Sequence, residues 1–420
     1  MKHHLLPIAP VFLLASTVAS AQLPAAPPAP VAAPAPVAAP VPVAAPVPVP
    51  TVAEGTAPAP AAPPAPPAEA VPPAVPASTL ASKLGIGKDG FWQPAANLQF
   101  WAFGANQAGD TSTTLRIRRA ELRIKGEVIP QLLGFNVMID PARVTDSKAQ
   151  VKLPSGESVT VANQGTVTVL QDFFITLLSD YADVSFGQFK IPLSLEGYGS
   201  ASKLLFPERA IVSRRFGDKR DLGIRAEKKL GKHFYYYAGL FNGEAQNTLD
   251  SNAQKDAALR LEVYPVDGIT VGAVGYAGIH NRAKAGAATP TKDRVEADFK
   301  LDLSNVLVQA EYIHGWDGQT NVARTESAGF YAAVGVTIGK FQPIARVGYY
   351  DPDVRKDLKP TALDRNVTTL PLHDECASYE LGLNYYLRGN DAKFQASWSK
   401  FVFRDEANRG EVILAAQASF

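Results

Sequence analysis

Between about Asn97 and Phe420 the chain is a succession of short runs in which apolar and polar residues alternate, and the links between those runs alternate in length. Tight links occupy Ser179 to Asp183, Leu230 to Lys232, Pro265 to Gly268, Leu303 to Asn305, Gly339 to Phe341 and Arg388 to Asp391. Long polar links span Pro141 to Gly165, Lys190 to Asp221, Asn242 to Asp256, His280 to Asp293, Gly315 to Ser327, Asp351 to Ala377 and Arg404 to Gly410. A two-residue period marks β-strands with one apolar face. A sandwich gives no reason to collect its short turns at one end and its long loops at the other. A closed barrel in a membrane does, because hydrocarbon leaves no partner for an unpaired strand edge and one rim faces the short turns.

Alternation places sixteen strands near Leu98, Arg119, Val137, Phe174, Phe186, Ile224, Tyr236, Leu261, Val274, Phe299, Gln309, Ala333, Ala345, Leu383, Ser397 and Ala415. An even number returns the chain to the rim where it started, so the first strand can pair with the last. In the final run Val412, Leu414, Ala416, Ala418 and Phe420 share one face, and Glu411, Ile413, Ala415, Gln417 and Ser419 the other. Trp92, Phe100, Trp101, Tyr235, Tyr237, Tyr349, Tyr385, Trp398, Phe401 and Phe403 lie near strand ends, where interfacial aromatic girdles are expected.

Hydrophobic residues make up 46% of the chain and its mean hydropathy is −0.04. Outside the first twenty residues no apolar stretch reaches the roughly 18 residues a membrane helix needs, so any crossing is made by strands. The balance of 41 basic and 40 acidic residues argues against a nucleic-acid binder driven by overall charge. The single cysteine, Cys376, excludes an intramolecular disulfide framework and a cysteine zinc site. His233, His280, His314 and His373 stand apart with no ligand spacing, and neither a P-loop nor a nucleophile elbow occurs. No catalytic residue, metal or cofactor is therefore expected.

Residues 1–21 combine a weakly basic start, an apolar stretch and Ala19-Ser20-Ala21, the pattern of a signal peptide cleaved before Gln22. Residues 22–77 are almost entirely Ala, Pro and Val, a composition that cannot bury a core and favours an extended, disordered linker. A plain spacer is the simplest reading. Contact with peptidoglycan or a periplasmic partner through 22–77 is the sharper one. Residues 78–95 then form a periplasmic lead-in to a barrel domain over 96–420.

Two basic features are candidates for an anion path. On the second strand, Leu115 to Gly126, alternation holds only if the phase slips by one residue near Arg118 and Arg119, as a bulge allows. The lumen then receives Arg116, Arg118, Arg123 and Lys125 beside Glu121, with Arg225 and Arg260 added from later strands. The simpler reading pairs these arginines with acids on neighbouring strands, such as Glu227, Glu262 and Glu311. The second feature is the link from Lys190 to Asp221. Lys190, Lys203, Arg209, Arg214, Arg215, Lys219 and Arg220 outnumber Glu196, Glu208, Asp218 and Asp221 by three. Its Leu193, Leu195, Leu204, Leu205, Phe206, Ile211 and Val212 favour packing on an inner wall over free exposure. In a narrow pore such an excess enriches anions.

The stretches Phe186-Gly187-Gln188-Phe189-Lys190-Ile191-Pro192-Leu193, Phe206-Pro207-Glu208-Arg209-Ala210, Arg220-Asp221-Leu222-Gly223-Ile224 and Ala238-Gly239-Leu240-Phe241-Asn242-Gly243 resemble the phosphate-selective porin O and P family. Gly87-Lys88-Asp89-Gly90-Phe91 and Arg118-Arg119-Ala120-Glu121-Leu122 are similar to that family's opening. The resemblance runs from about Gly87 to Phe420. It implies an all-β, 16-stranded antiparallel transmembrane β-barrel with an inward-folded long loop, in the outer membrane of a Gram-negative bacterium and assembled as a homotrimer. It further implies passage of small inorganic anions, phosphate or polyphosphate, with Arg116, Arg118 and Arg123 resembling an arginine ladder and Lys203, Arg209, Arg214 and Arg215 lying in the matching loop. Two alternatives stay open. One is a general or sugar-admitting porin in which Arg294, Glu296, Asp298, Lys300 and Asp302 cancel, and the other is a barrel that anchors an envelope tether.

Overall fold

The computed structural model describes residues 83–146, 148–152, 158–162, 169–250, 253–279, 290–319, 325–355 and 374–420. The expected signal peptide, the Ala/Pro-rich linker, His280 and His373 lie outside the described residues.

Sixteen strands form the wall: β1 (Gly90–Gln107), β2 (Asp110–Ile129), β3 (Leu133–Ile139), β4 (Leu170–Leu177), β5 (Asp183–Lys190), β6 (Arg220–Leu230), β7 (Phe234–Phe241), β8 (Asp256–Val263), β9 (Ile269–Ile279), β10 (Pro290–Asp302), β11 (Val306–Gln319), β12 (Thr325–Val336), β13 (Phe341–Asp351), β14 (Cys376–Arg388), β15 (Ala392–Phe403) and β16 (Arg409–Ser419). Each contains one of the expected centres. Consecutive strands pair antiparallel, and β16 closes on β1 from Arg409 opposite Gln107 to Ser419 opposite Asn97. Ala96 and Phe420 exchange two further backbone hydrogen bonds of 2.8 and 3.1 Å. A three-residue strand, Leu84–Ile86, pairs with the start of β1, so pairing to this end of the wall begins before residue 96. Residues 148–152 and 158–162 form a separate hairpin.

The expected phase slip is present. Gln99 faces Arg119 while its neighbour Phe100 faces Ile117, which leaves Arg118 as the extra residue of a bulge. Leu115, Ile117, Leu122 and Ile124 therefore all point outward, with Leu115 70% exposed. The alternation of link length is imperfect: the links between β11 and β12 and between β15 and β16 are five residues each, no longer than that between β4 and β5 on the other rim. The first connection on the long-loop rim, between β1 and β2, is only Ala108 and Gly109. Their φ values of 55° and 87° suit the mirror-image turn whose twist matches a two-residue hairpin.

The wall is apolar outside and polar inside. Leu98, Phe100, Phe173, Ile175, Leu259, Leu381, Phe394 and Leu414 are exposed on the outer surface, whereas Gln99, Glu296, Asp298, Glu311, Arg346, Glu380, Gln395 and Gln417 are buried. The girdle expectation needs correction at five aromatics. Trp101, Tyr237, Phe401 and Phe403 are buried, and Tyr235 donates to Glu227 on the inner side. They face inward because the inside of this barrel is not only water. Tyr237 and Phe401 pack with an apolar cluster that includes Leu193, Leu205, Phe206, Ile211, Val212 and Phe216 from the link between β5 and β6.

Leu414 sits midway along β16 and is half-exposed on the lipid face. Leu414→Arg should destabilise the barrel by about 2–4 kcal/mol, as measured by denaturant titration of refolding into lipid vesicles.

Candidate functional site

The link between β5 and β6 runs inside the barrel. Past Lys190, Pro192 cannot donate to a ladder, and the chain leaves the wall with Ile191 N–H donating to the Lys219 carbonyl at 3.0 Å. Ser194 turns it with φ 71° and caps the short helix α1 (Leu195–Tyr198) by accepting from Gly197 N–H at 3.0 Å. A second short helix, α2 (Ile211–Phe216), carries Ile211, Val212 and Phe216 into the apolar cluster, where they meet Ile313, Tyr331, Ile344 and Tyr350 of the wall. Gly197 and Gly217 let the two limbs touch. A Cβ on Gly197 would lie 2.5 Å from the Asp218 nitrogen, and one on Gly217 would lie 2.6 Å from the Ser194 Cβ.

Polar contacts lace this loop to the wall around much of the barrel. Ser194 and Leu195 donate their backbone N–H groups to Glu296 and Glu311, both at 2.6 Å. The Tyr198 hydroxyl donates to Glu227 at 3.1 Å. Gln417 donates to the Ser202 carbonyl, Lys393 to that of Leu204, and Asn384 and Gln395 to that of Leu205, over 2.9–3.1 Å. Arg346 holds Glu380 through two 2.8 Å bonds and also reaches Glu196 at 3.2 Å. Glu208 accepts from Arg118 at 2.8 Å and lies 3.7 Å from Arg119. Gln99 of β1 donates to the Ala201 carbonyl at 3.5 Å, so strands β1, β2, β6, β10, β11 and β13 to β16 each contribute at least one anchor.

The candidate residues are divided by this arrangement. On β2, Arg116 lies over Trp101 at 4.9 Å, Arg118 pairs with Glu208, Arg123 pairs with Asp172 at 3.3 Å, and Lys125 is exposed. The acids that meet Arg118 and Arg123 are Glu208 and Asp172, instead of the neighbouring-strand Glu227, Glu262 and Glu311. Arg225 is buried, pairs with Glu227 at 2.9 Å and stacks on Phe174 and Phe189. Arg260 is buried among Glu262, Glu296 and Asp298 at 2.7–3.2 Å. Lys203 is exposed beside a cavity of about 430 Å³ lined by Lys300, Asp302, Asn305 and Gln342. Arg214 is half-buried, Arg215 is exposed and donates to the Tyr350 hydroxyl at 2.9 Å, and Lys219 is exposed.

The remaining three loop cations, Lys190, Arg209 and Arg220, converge on one carboxylate. Asp218 lies 3.3 Å from Lys190, 3.1 Å from Arg209, 3.4 Å from Arg220 and 3.7 Å from Arg143. Arg220 also meets Asp172 at 2.7 Å, and Arg143 meets Asp140 at 3.3 Å. Arg123, Arg143, Lys190, Arg209 and Arg220 therefore share Asp140, Asp172 and Asp218, an excess of two positive charges before Arg215 and Lys219 are added. Burial by itself would raise the Asp218 carboxyl, but Arg209, Lys190, Arg220 and Arg143 hold it well below the usual carboxylate range. Glu208 behaves alike, with burial overruled by Arg118, Arg119, Arg214 and Arg209. At Lys219, desolvation in the confined lumen and then Arg215 lower the ammonium pKa against the pull of Asp218. Among the described residues no group of three or more His, Cys, Asp or Glu is arranged to hold a metal ion.

Residues 96–295 match the profile of the family described as phosphate-selective porin O and P. The barrel is that of an outer-membrane porin. It is similar in fold to an anion-selective porin from Comamonas acidovorans, at 10% identity and TM-score 0.55 over 79% of this chain and 100% of that one. A loop-deletion variant of the outer-membrane protein OmpT of Vibrio cholerae aligns at 13% identity and TM-score 0.52, covering 79% and 99%. OprB of Pseudomonas putida aligns at 11% identity and TM-score 0.52, covering 78% and 94%. A comparison with curated protein sequences returned no match. The match places this porin among transport channels, not enzymes.

Several residues that matter in the porin lumen were not among the sequence candidates. Arg119 was the pivot of the phase slip, and the bulge turns it inward against Gln99 and Glu208. Arg143 lies in the long connection after β3 and carried no local signal. Arg346 and Lys393 read as ordinary members of alternating strands.

Glu208 and Asp218 have depressed folded-state pKa values, so their contribution to loop anchoring is present above about pH 4 and is lost as pH falls through those lower values. A spin label on Lys203→Cys should report constant mobility from about pH 6 to pH 5 and rising mobility only below about pH 4. Rising mobility that begins between about pH 6 and pH 5 would contradict this assignment.

Proposed function

We propose that this porin conducts small inorganic anions passively, phosphate or polyphosphate among them, past the cation cluster of its inward loop. The observation that carries the reading is that cluster itself: seven cations, Arg123, Arg143, Lys190, Arg209, Arg215, Lys219 and Arg220, beside three carboxylates. Guanidinium groups keep their charge at every relevant pH and offer paired donors to an oxyanion. Low-dielectric walls and confinement make an excess of two to four charges more effective there than on an open surface. The family resemblance and the printed description of the Comamonas acidovorans porin point the same way. The family resemblance also supports a homotrimer, with membrane lipid against the outer wall. No cofactor enters the proposal. For 22–77 the proposed role is a plain spacer, with contact to peptidoglycan or a periplasmic partner as the sharper alternative.

A general or sugar-admitting porin is the second reading, and the far wall favours it. Arg260 is matched by Glu262, Glu296 and Asp298, Arg294 by Asp317 at 2.6 Å, and Lys300 by Asp302 at 2.7 Å. Charges there cancel within the wall.

Planar-bilayer reversal potentials under a salt gradient separate the two. Anion preference, with chloride current blocked by added phosphate, is expected, and Arg215→Ala or Lys219→Ala should each lower the anion-to-cation permeability ratio by about two- to fivefold in the water-screened lumen. Cation preference without phosphate block would reject the anion reading, and rapid liposome swelling in neutral sugars would then favour the second.

A further inference from the structure

We propose that the Asp218 carboxylate is a built-in anion that competes with permeating anions for Arg143, Lys190, Arg209 and Arg220, and so keeps their stay in the channel short. The proposal rests on the anion reading above and assigns one residue the task of setting affinity at the same cluster.

Four features support it. The two carboxylate oxygens divide the cations between them: Oδ1 takes Lys190 and Arg220, and Oδ2 takes Arg209 and Arg143. A free oxyanion entering the cluster would seek the same donors. Asp218 is 23% exposed, more than Lys190 at 14%, Arg209 at 4% and Arg220 at 2% but less than Arg143 at 31%, so an arriving anion meets Asp218 and Arg143 before the three buried cations. Asp218 is also held in place by the backbone: its φ is 54°, it follows Gly217, and the Gly197 Cα packs against its nitrogen with no room for a side chain. Finally, each of the four cations has a second partner. Arg220 keeps Asp172, Arg143 keeps Asp140, Arg209 keeps the Glu196 carbonyl at 3.0 Å, and Lys190 keeps the Gly197 and Gly199 carbonyls at 2.8 Å. The cluster can therefore survive loss of this one charge.

A cluster of cations with no internal carboxylate would hold a multivalent anion tightly and pass it slowly. With Asp218 present, an incoming anion displaces one favourable contact set as it makes another, and the carboxylate returns as the anion leaves. Binding and release are then close in free energy, which is the condition for conduction through a selective site.

The test is phosphate block of chloride current in single channels. In Asp218→Asn, which keeps shape and removes charge, the half-blocking phosphate concentration should fall by about tenfold or more, because one full negative charge within a few ångströms has been removed from a poorly screened site. Asp302→Asn, the same charge change at an exposed carboxylate in the cavity beside Lys203, should alter it by less than about twofold. Lys219→Asp, at an exposed position, places a second carboxylate next to the first and should weaken block, which keeps the proposal testable if Asp218→Asn does not assemble. An anion-selective parent channel whose Asp218→Asn variant is blocked no more tightly, or in which Asp302→Asn has an equal effect, overturns this proposal alone. Cation preference in the parent channel would remove the anion reading and this proposal together.

Discussion

The pairing of β16 with β1 is the interaction on which the rest depends. A strand in hydrocarbon cannot leave its N–H and C=O groups to water, so an open sheet of these sixteen strands would present two unpaired edges to lipid. Eleven residue pairs between Arg409 and Ser419 on one side and Gln107 and Asn97 on the other, with Phe420 added against Ala96, remove both edges. Closure then creates an inside. Because side chains alternate, the same step that turns Leu414 to lipid turns Ile413 and Ala415 inward, and every later feature of the lumen follows from that division.

The inside is organised by one stretch of chain. The loop after β5 brings apolar residues that make Tyr237, Tyr331 and Tyr350 core residues instead of membrane anchors, and it brings backbone donors for acids on the far wall. Glu296 and Glu311 are like charges on adjacent strands, and the N–H groups of Ser194 and Leu195 satisfy them. Arg260 supplies a compensating cation to Glu296, and Arg346 supplies one to Glu196 and Glu380. Apolar packing and polar lacing therefore hold the same segment, one fixing its depth in the lumen and the other its orientation. The cations that stay exposed beside Asp218 are Arg215 and Lys219, with Arg123 and Arg143 partly so.

The wall was largely legible before the structure because strand alternation is a local property. Each strand centre could be placed from a few neighbouring residues, and even the bulge was visible, since Leu115 and Ile117 could not share a face with Leu122 and Ile124 without it. The lumen was legible only in composition. The loop showed a surplus of positive charge, but nothing within it revealed that Lys190, Arg209 and Arg220 would be spent on Asp218 and Asp172. Arg118 meets Glu208 across ninety positions of sequence, and Glu227 or Glu262 looked equally able to receive it. The aromatics were misplaced for the same reason. Proximity to a strand end is local, whereas an apolar partner inside the barrel comes from elsewhere in the chain.

What the sequence determined by itself was therefore the set of strands, their two faces and the rim each link belongs to, because these follow from a two-residue period and from the cost of an unpaired backbone in lipid. What only the tertiary structure decided was which charges remain available to solutes. Charge availability depends on distances of a few ångströms between segments far apart in the chain, and those distances are set by how the loop seats inside the closed barrel.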